Sequence, residues 1–115
     1  MTQRRQFDRA SLPMPMRFRV LGGFGGMWLE GMVLDLSASG LRFTTPHPID
    51  QGALTEFRIQ LPDRMEPCML TGQVLWVGES KSGPAYGAFF TRLTEKQQQM
   101  LDDLVQFLKR RQPPA

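Results

Sequence analysis

Arg4, Arg5 and Arg9 stand close together near the start of the chain, in the run Arg4-Arg5-Gln6-Phe7-Asp8-Arg9. Further on, Asp35, Ser37, Ser39 and Gly40 stand together in Asp35-Leu36-Ser37-Ala38-Ser39-Gly40. A guanidinium presents two parallel N–H donors, which match either the O6 and N7 edge of a guanine or two oxygens of a phosphate. The opposite guanine edge offers N1–H and N2–H2, and a carboxylate such as that of Asp35 accepts both. Arg5 and Arg9 are four residues apart, so on a helical turn or a loop both reach one ligand. Asp35 and Ser37 are two apart at the end of a strand pattern, which puts them on one face. Ser37 and Ser39 add hydroxyls, and Gly40 is expected to permit positive φ and close backbone approach. Each cluster alone is common: Arg-x-x-x-Arg recurs by chance, and Asp-x-Ser-x-x-Gly also describes an ordinary strand–turn–strand junction bonded to its own backbone. Together they make a kit for gripping a guanine nucleotide with phosphates.

The charge distribution fits a local anion-binding role. The chain has 115 residues and a formal net charge of +3. Residues 1–19 carry five Arg and one Asp, whereas the rest carries nine basic residues against ten acidic. A basic arm on a nearly neutral body points to a small anionic ligand, or to an acidic patch on one partner, rather than to nonspecific nucleic-acid binding. Cys68 is the only cysteine, which excludes an intramolecular disulfide and a cysteine-based zinc site; its apolar neighbours imply a buried, inert thiol. No apolar run is long enough to span a membrane and no secretory h-region is visible, so a cytoplasmic location is the default expectation.

The elements that must position these groups follow from hydropathy period. Residues 1–13 lack periodicity and read as a flexible arm. Strands are then expected at Met16–Val20, Met27–Asp35, Leu41–Phe43, Thr55–Leu61, Met69–Val77 and Tyr86–Thr91, separated by Gly- and Pro-rich turns. Gly22-Gly23-Phe24-Gly25-Gly26 is a hairpin connection; it lacks the Lys-Ser/Thr of a phosphate-binding loop. In the fifth strand Leu70, Gly72, Val74 and Trp76 share a face. Thr94-Glu95-Lys96-Gln97 fits a capping box, and Met100, Leu101, Leu104, Val105 and Leu108 form the apolar stripe of a closing helix. One domain is expected, mainly β: an arm over 1–13, a small antiparallel barrel over 14–93 and a C-terminal α-helix over 94–111.

The two clusters, in this order and spacing, resemble the signature of the PilZ family. Leu70-Thr71-Gly72-Gln73-Val74-Leu75-Trp76 is similar to that family's Gly-x-Val-x-Trp strand, and Tyr86-Gly87-Ala88-Phe89-Phe90 to its Gly-x-x-Phe strand ahead of a C-terminal helix. The resemblance covers nearly the whole chain. It implies a six-stranded antiparallel β-barrel that binds the bacterial second messenger cyclic di-GMP on its outside, with the arm folding over the ligand. By position, Arg5 and Arg9 would be the arm arginines, and Asp35, Ser37 and Gly40 the barrel half. An Arg at position 4 resembles the version that binds a stacked, intercalated pair of cyclic di-GMP molecules, because a planar guanidinium lies well over a purine face.

Ser39, Arg42 and Trp76 are further candidates for ligand contact. Arg42 should point outward near Asp35 and Ser37, as a surface charge or a phosphate ligand. Trp76 is expected in the core, with contact to a base as the alternative. His47 lies between two prolines and is expected in an exposed loop. No nucleophile, acid/base pair or metal cluster stands out, so no enzyme and no cofactor are expected. The function implied is a non-catalytic signalling receptor or adaptor, with cyclic di-GMP and a downstream protein as partners. The alternatives are a small nucleic-acid-binding barrel, disfavoured by the lack of a row of exposed aromatics on the strands, and a protein-only adaptor, which would be expected to lack the arginines or the Asp-Ser-Gly turn.

Overall fold

Alternating apolar residues supply the inner wall of a closed β-barrel. The computed structural model describes residues 9–10, 14–60, 65–81 and 83–111. Seven strands form one antiparallel sheet: β1 (Arg9–Ala10), β2 (Met14–Val20), β3 (Leu29–Ser37), β4 (Gly40–Thr44), β5 (Leu54–Ile59), β6 (Cys68–Ser80) and β7 (Gly83–Phe90), followed by α1 (Glu95–Arg111). The order is β1-β3-β2-β5-β6-β7-β4, and an additional β3–β4 pairing closes the six long strands into a barrel. The six-stranded antiparallel barrel with a C-terminal helix is thus the architecture expected from the sequence. Leu61 and the Pro62-Asp63-Arg64 turn lie outside the described residues.

The core repeats the strand period. Met16, Phe18 and Val20 on β2 and Phe57 and Ile59 on β5 are buried, whereas Arg17 and Arg58 between them are exposed. Phe43 sits at the centre, with ring centroids 5.4 Å from Phe18, 5.5 Å from Phe57 and 5.6 Å from Tyr86. Tilted and edge-on aromatic contacts at such distances add to the stabilisation from area burial. Cys68 is buried.

Helix α1 begins where the capping box was expected. The Thr94 backbone N–H donates to Gln97 Oε1 at 2.8 Å, and the Gln97 N–H donates to Thr94 Oγ1 at 3.1 Å, satisfying two of the otherwise free amides of the first turn. Leu101, Leu104, Val105 and Leu108 are buried and Met100 is partly buried. This apolar stripe brings the helix against β1, β3 and β6. No helix among the described residues is long and apolar enough to cross a membrane.

The arm and Trp76 depart from the sequence reading. The segment 1–13, expected to lack regular structure, contains β1. This two-residue strand uses the same edge of β3 as β2: Ala10 faces Leu36 and Arg9 faces Ser37, while Met14 faces Val33 further along. Trp76 is not in the core. The β6–β7 register shifts between Val74 and Trp76, so that Val74 faces Ala88 and Trp76 faces Gly87. Such a bulge inserts one residue and reverses the inside–outside alternation beyond it. Val74 is buried, but Trp76 is 43% exposed.

Candidate functional site

The strand registers bring the second half of the arm motif to the Asp-Ser-Gly turn. Arg9 lies opposite Ser37 in the β1–β3 pair. Asp35 lies opposite Arg42 in the β3–β4 pair, just past a register shift between Val33 and Asp35. Arg42 Nε donates to Asp35 Oδ2 at 2.6 Å. The two ends of this ion pair differ in environment: the Asp35 side chain is 7% exposed and that of Arg42 47%. Asp35 is therefore a fixed acceptor at the floor, and Arg42 a cation reaching into solvent above it. Arg4 and Arg5 lie outside the described residues.

Ser37 and Ser39 organise the turn itself. Ser37 is 1% exposed. Its hydroxyl is 3.1 Å from that of Ser39, donates to the Gly40 carbonyl at 3.4 Å and accepts from the Ser39 N–H at 3.3 Å. The Phe90 N–H donates to the Ser39 carbonyl at 3.0 Å, tying the turn to the end of β7. Local bonding of this kind fixes the direction of the chain between β3 and β4. Ser39 itself is half-buried, with its hydroxyl held by that of Ser37.

Gly40 serves a different purpose from the one expected. It is not among the glycines with positive φ. A Cβ built on Gly40 would instead lie 2.2 Å from the Ala88 carbonyl oxygen and 3.3 Å from Phe89 Cα. Only a residue without a side chain lets β4 approach β7 this closely. The expectation of close backbone approach is met by another strand of the barrel.

Across the outer wall, Asp35, Arg42, Gly87 and Trp76 fall in one row on β3, β4, β7 and β6. Gly87 places no side chain between the guanidinium and the indole. Trp76 lies along the sheet over the glycines: a Cβ on Gly78 would be 2.3 Å from Trp76 Cζ2, and one on Gly87 would be 3.3 Å from Trp76 Cβ. The strip thus offers a carboxylate, a guanidinium and a flat aromatic face, groups that can pair with and stack on a purine. The sequence reading missed Phe89, which is 59% exposed and stands opposite Gly40. Its alternation with buried Ala88 was the available signal. Trp76 and Phe89 are thus two exposed aromatics on strands where no row of them was expected.

His47 is half-buried rather than fully exposed, with Phe24 at a centroid distance of 5.8 Å. Trp28 is placed elsewhere on the barrel, beneath the Arg19 guanidinium at 4.7 Å, and Arg19 Nε donates to Glu56 at 2.9 Å. Among the described residues no group of three or more His, Cys, Asp or Glu is arranged to hold a metal ion.

Comparison with solved structures places this architecture. The PilZ domain of YcgR from Escherichia coli, a structure with c-di-GMP, superposes with a TM-score of 0.75 at 18% identity, covering 95% of this chain and 94% of the other. The PilZ domain of CeSA from a cellulose-synthesizing bacterium gives a TM-score of 0.67 at 19% identity, covering 89% and 98%. The Bacillus subtilis inhibitor of motility MotI/DgrA gives 0.66 at 16% identity; there 96% of this chain aligns with 52% of the longer protein. No curated protein sequence gives a significant match. At such identities the structural likeness speaks for the fold. The sequence itself matches the PilZ domain family model over residues 3–107, a span that takes in the arm, the barrel and most of the helix, and the chain belongs to the PilZ domain family.

Proposed function

We propose that this protein is a non-catalytic receptor for cyclic di-GMP. The observation that carries the reading is the backbone register that sets Arg9 across from Ser37, beside the Asp35–Arg42 pair. Family membership supports it, as does the c-di-GMP in the structure of the similar YcgR domain. In this reading Arg5 and Arg9 bind phosphate oxygens or the O6/N7 edge of a guanine, and Asp35 accepts from N1–H and N2–H2. Ser37 and Ser39 bound the site at the turn, Arg42 neutralises a phosphate, and Trp76 offers a stacking face. Gly40 contributes by keeping β4 against β7.

The arm closes over the ligand, and the surface so formed recruits a downstream protein in the bacterial cytoplasm. Fixing an arm residue costs about 1–2 kcal/mol, and a hydrogen bond to a charged group returns about 1.5–3 kcal/mol. A few guanidinium contacts therefore suffice to order the segment, and each of them matters. Arg4 adds a planar cation over a purine face, which favours two intercalated cyclic di-GMP molecules per chain. Titration calorimetry should give two ligands per protomer for the wild type and one for Arg4→Leu. A single ligand in both proteins would remove the stacked pair from the account.

Trp76 supplies a second readout. In a Trp28→Phe background, cyclic di-GMP should change the remaining indole emission saturably, with the same midpoint as the calorimetric curve. Emission indifferent to ligand would place Trp76 outside the site. The exposed Trp76 and Phe89 also favour a second reading, a platform for single-stranded nucleic acid. Unlabelled single-stranded RNA that displaces cyclic di-GMP at comparable concentration would support that reading; failure to compete would dismiss it.

A further inference from the structure

The strands β2 and β5 set two like charges side by side, with Glu30 across from Arg17 on β3 as the one acid beside them. Arg17 and Arg58 are direct cross-strand partners, an arrangement that destabilises a sheet when nothing sits between the charges. One step along the same pair of strands Arg19 faces Glu56 and binds it, so the sheet is able to supply an acid at such a position. Arg58 has no ion pair or hydrogen bond among the described residues. Arg17 meets Glu30 only at 3.9 Å, with both side chains largely in solvent, a contact of little energetic weight.

The two arginines line an open groove of about 600 Å³, together with Pro15, Glu30, Met32 and Gln60. This volume falls within the range of small-molecule sites. The groove lies on β3, β2 and β5, whereas the Asp35–Arg42–Gly87–Trp76 row runs from β3 the other way around the barrel, over β4, β7 and β6.

We propose that this groove is a second anion site, selective for the phosphate monoester of a small molecule. Two adjacent guanidiniums present a charge of two and parallel forks of donors. A carboxylate or a phosphodiester brings one negative charge to the two guanidiniums. A phosphate monoester brings close to two, with three strong acceptor oxygens. Pro15 and exposed Met32 give the ester's organic part an apolar surface beside the charges. Glu30, the acidic residue of the groove, stands at its rim, 85% exposed, and can turn toward water when the anion enters. The cyclic di-GMP phosphates, each a diester, are the wrong charge class for this groove, so the two sites select different ligands.

The test is a titration of the full ¹⁵N-labelled chain with phenyl phosphate, following the Arg17 and Arg58 side-chain Nε–H signals. Sodium chloride at matched ionic strength and dimethyl phosphate, a monoanionic diester, are the controls. Phenyl phosphate should shift both signals saturably. Arg58→Gln, at an exposed position that leaves the barrel core untouched, should weaken this binding about tenfold or more, as expected for the loss of one charge-assisted contact. The cyclic di-GMP isotherm should be the same in Arg58→Gln as in the wild type. A linear drift matched by sodium chloride, equal shifts with dimethyl phosphate, or an unchanged midpoint in Arg58→Gln would overturn the proposal. Loss of the phenyl phosphate response on saturation with cyclic di-GMP would overturn the claim of a separate site, while leaving the receptor reading intact.

Discussion

Asp35→Ala is expected to weaken cyclic di-GMP binding by about 2–4 kcal/mol, roughly 30- to 1000-fold in Kd. Asp35 is 5% exposed and pre-positioned by the Arg42 Nε bond at 2.6 Å. The substitution removes the acceptor for two guanine N–H groups, and it also releases the Arg42 guanidinium from its anchor. The first loss leaves donors of the bound base unpaired away from water, which is the expensive part of truncating one side of a buried polar contact. The second is cheaper, because Arg42 is half in solvent and can be hydrated. Binding should therefore fall much further than stability. Asp35→Asn gives an internal check: its single carbonyl cannot accept both guanine donors, so its affinity should lie between those of the wild type and Asp35→Ala. Calorimetric titration together with a thermal melt of each variant measures both quantities. An Asp35→Ala protein that binds like the wild type would mean the guanine contacts lie elsewhere.

Gly40→Ala should damage the fold before it damages recognition. The added Cβ would sit 2.2 Å from the Ala88 carbonyl oxygen, and the obstacle is backbone, which cannot rotate aside. Separating β4 from β7 at that point strains the pairs Gly40–Phe89 and Leu41–Ala88. Overpacking against backbone of this kind costs about 3 kcal/mol or more, so the melting temperature should fall by about 10 °C or more. Gly78→Ala is the contrasting case, since its Cβ would meet the Trp76 ring, a side chain at the surface with room to move. Its melting temperature should change little while the indole signal shifts. Should Gly40→Ala melt with the wild type yet fail to bind cyclic di-GMP, Gly40 would be a ligand contact rather than the packing residue described here.

The difference between these two residues shows what was legible in the sequence. Asp35 and Gly40 belong to one motif, and the motif located both. The role proposed for Asp35 follows from its own chemistry, since a carboxylate is an acceptor in any setting. The role of Gly40 depends on the Ala88 backbone, which only the β4–β7 pairing brings near. Periodicity succeeded where strands are regular, as for Phe18 and Val20 on β2 or Phe57 and Ile59 on β5, and where chemistry is local, as in the reciprocal Thr94–Gln97 cap. It failed at Trp76 because a period of two assumes an uninterrupted ladder, and the bulge after Val74 has no residue signature in Leu75 or Trp76. β1 escaped notice for another reason: two residues are too few to show any period, and Arg9–Ala10 is a strand only because β3 extends past β2 and offers a free edge. The Arg17–Arg58 pair was likewise invisible until the β2–β5 register was known.

The short strand β1 carries Arg9 to Ser37 and lies against α1, so in the proposed reading a ligand held by the arm and the turn would also bear on the packing of the C-terminal helix. A crystal structure of the full chain with cyclic di-GMP is the most direct test of the account. The expected result is ligand density on the outer wall between Arg9 and the Asp35–Ser37 turn, with a guanine edge within hydrogen-bonding distance of the Asp35 carboxylate. Ligand density at any other place on the barrel, with this strip still covered by water, would contradict it.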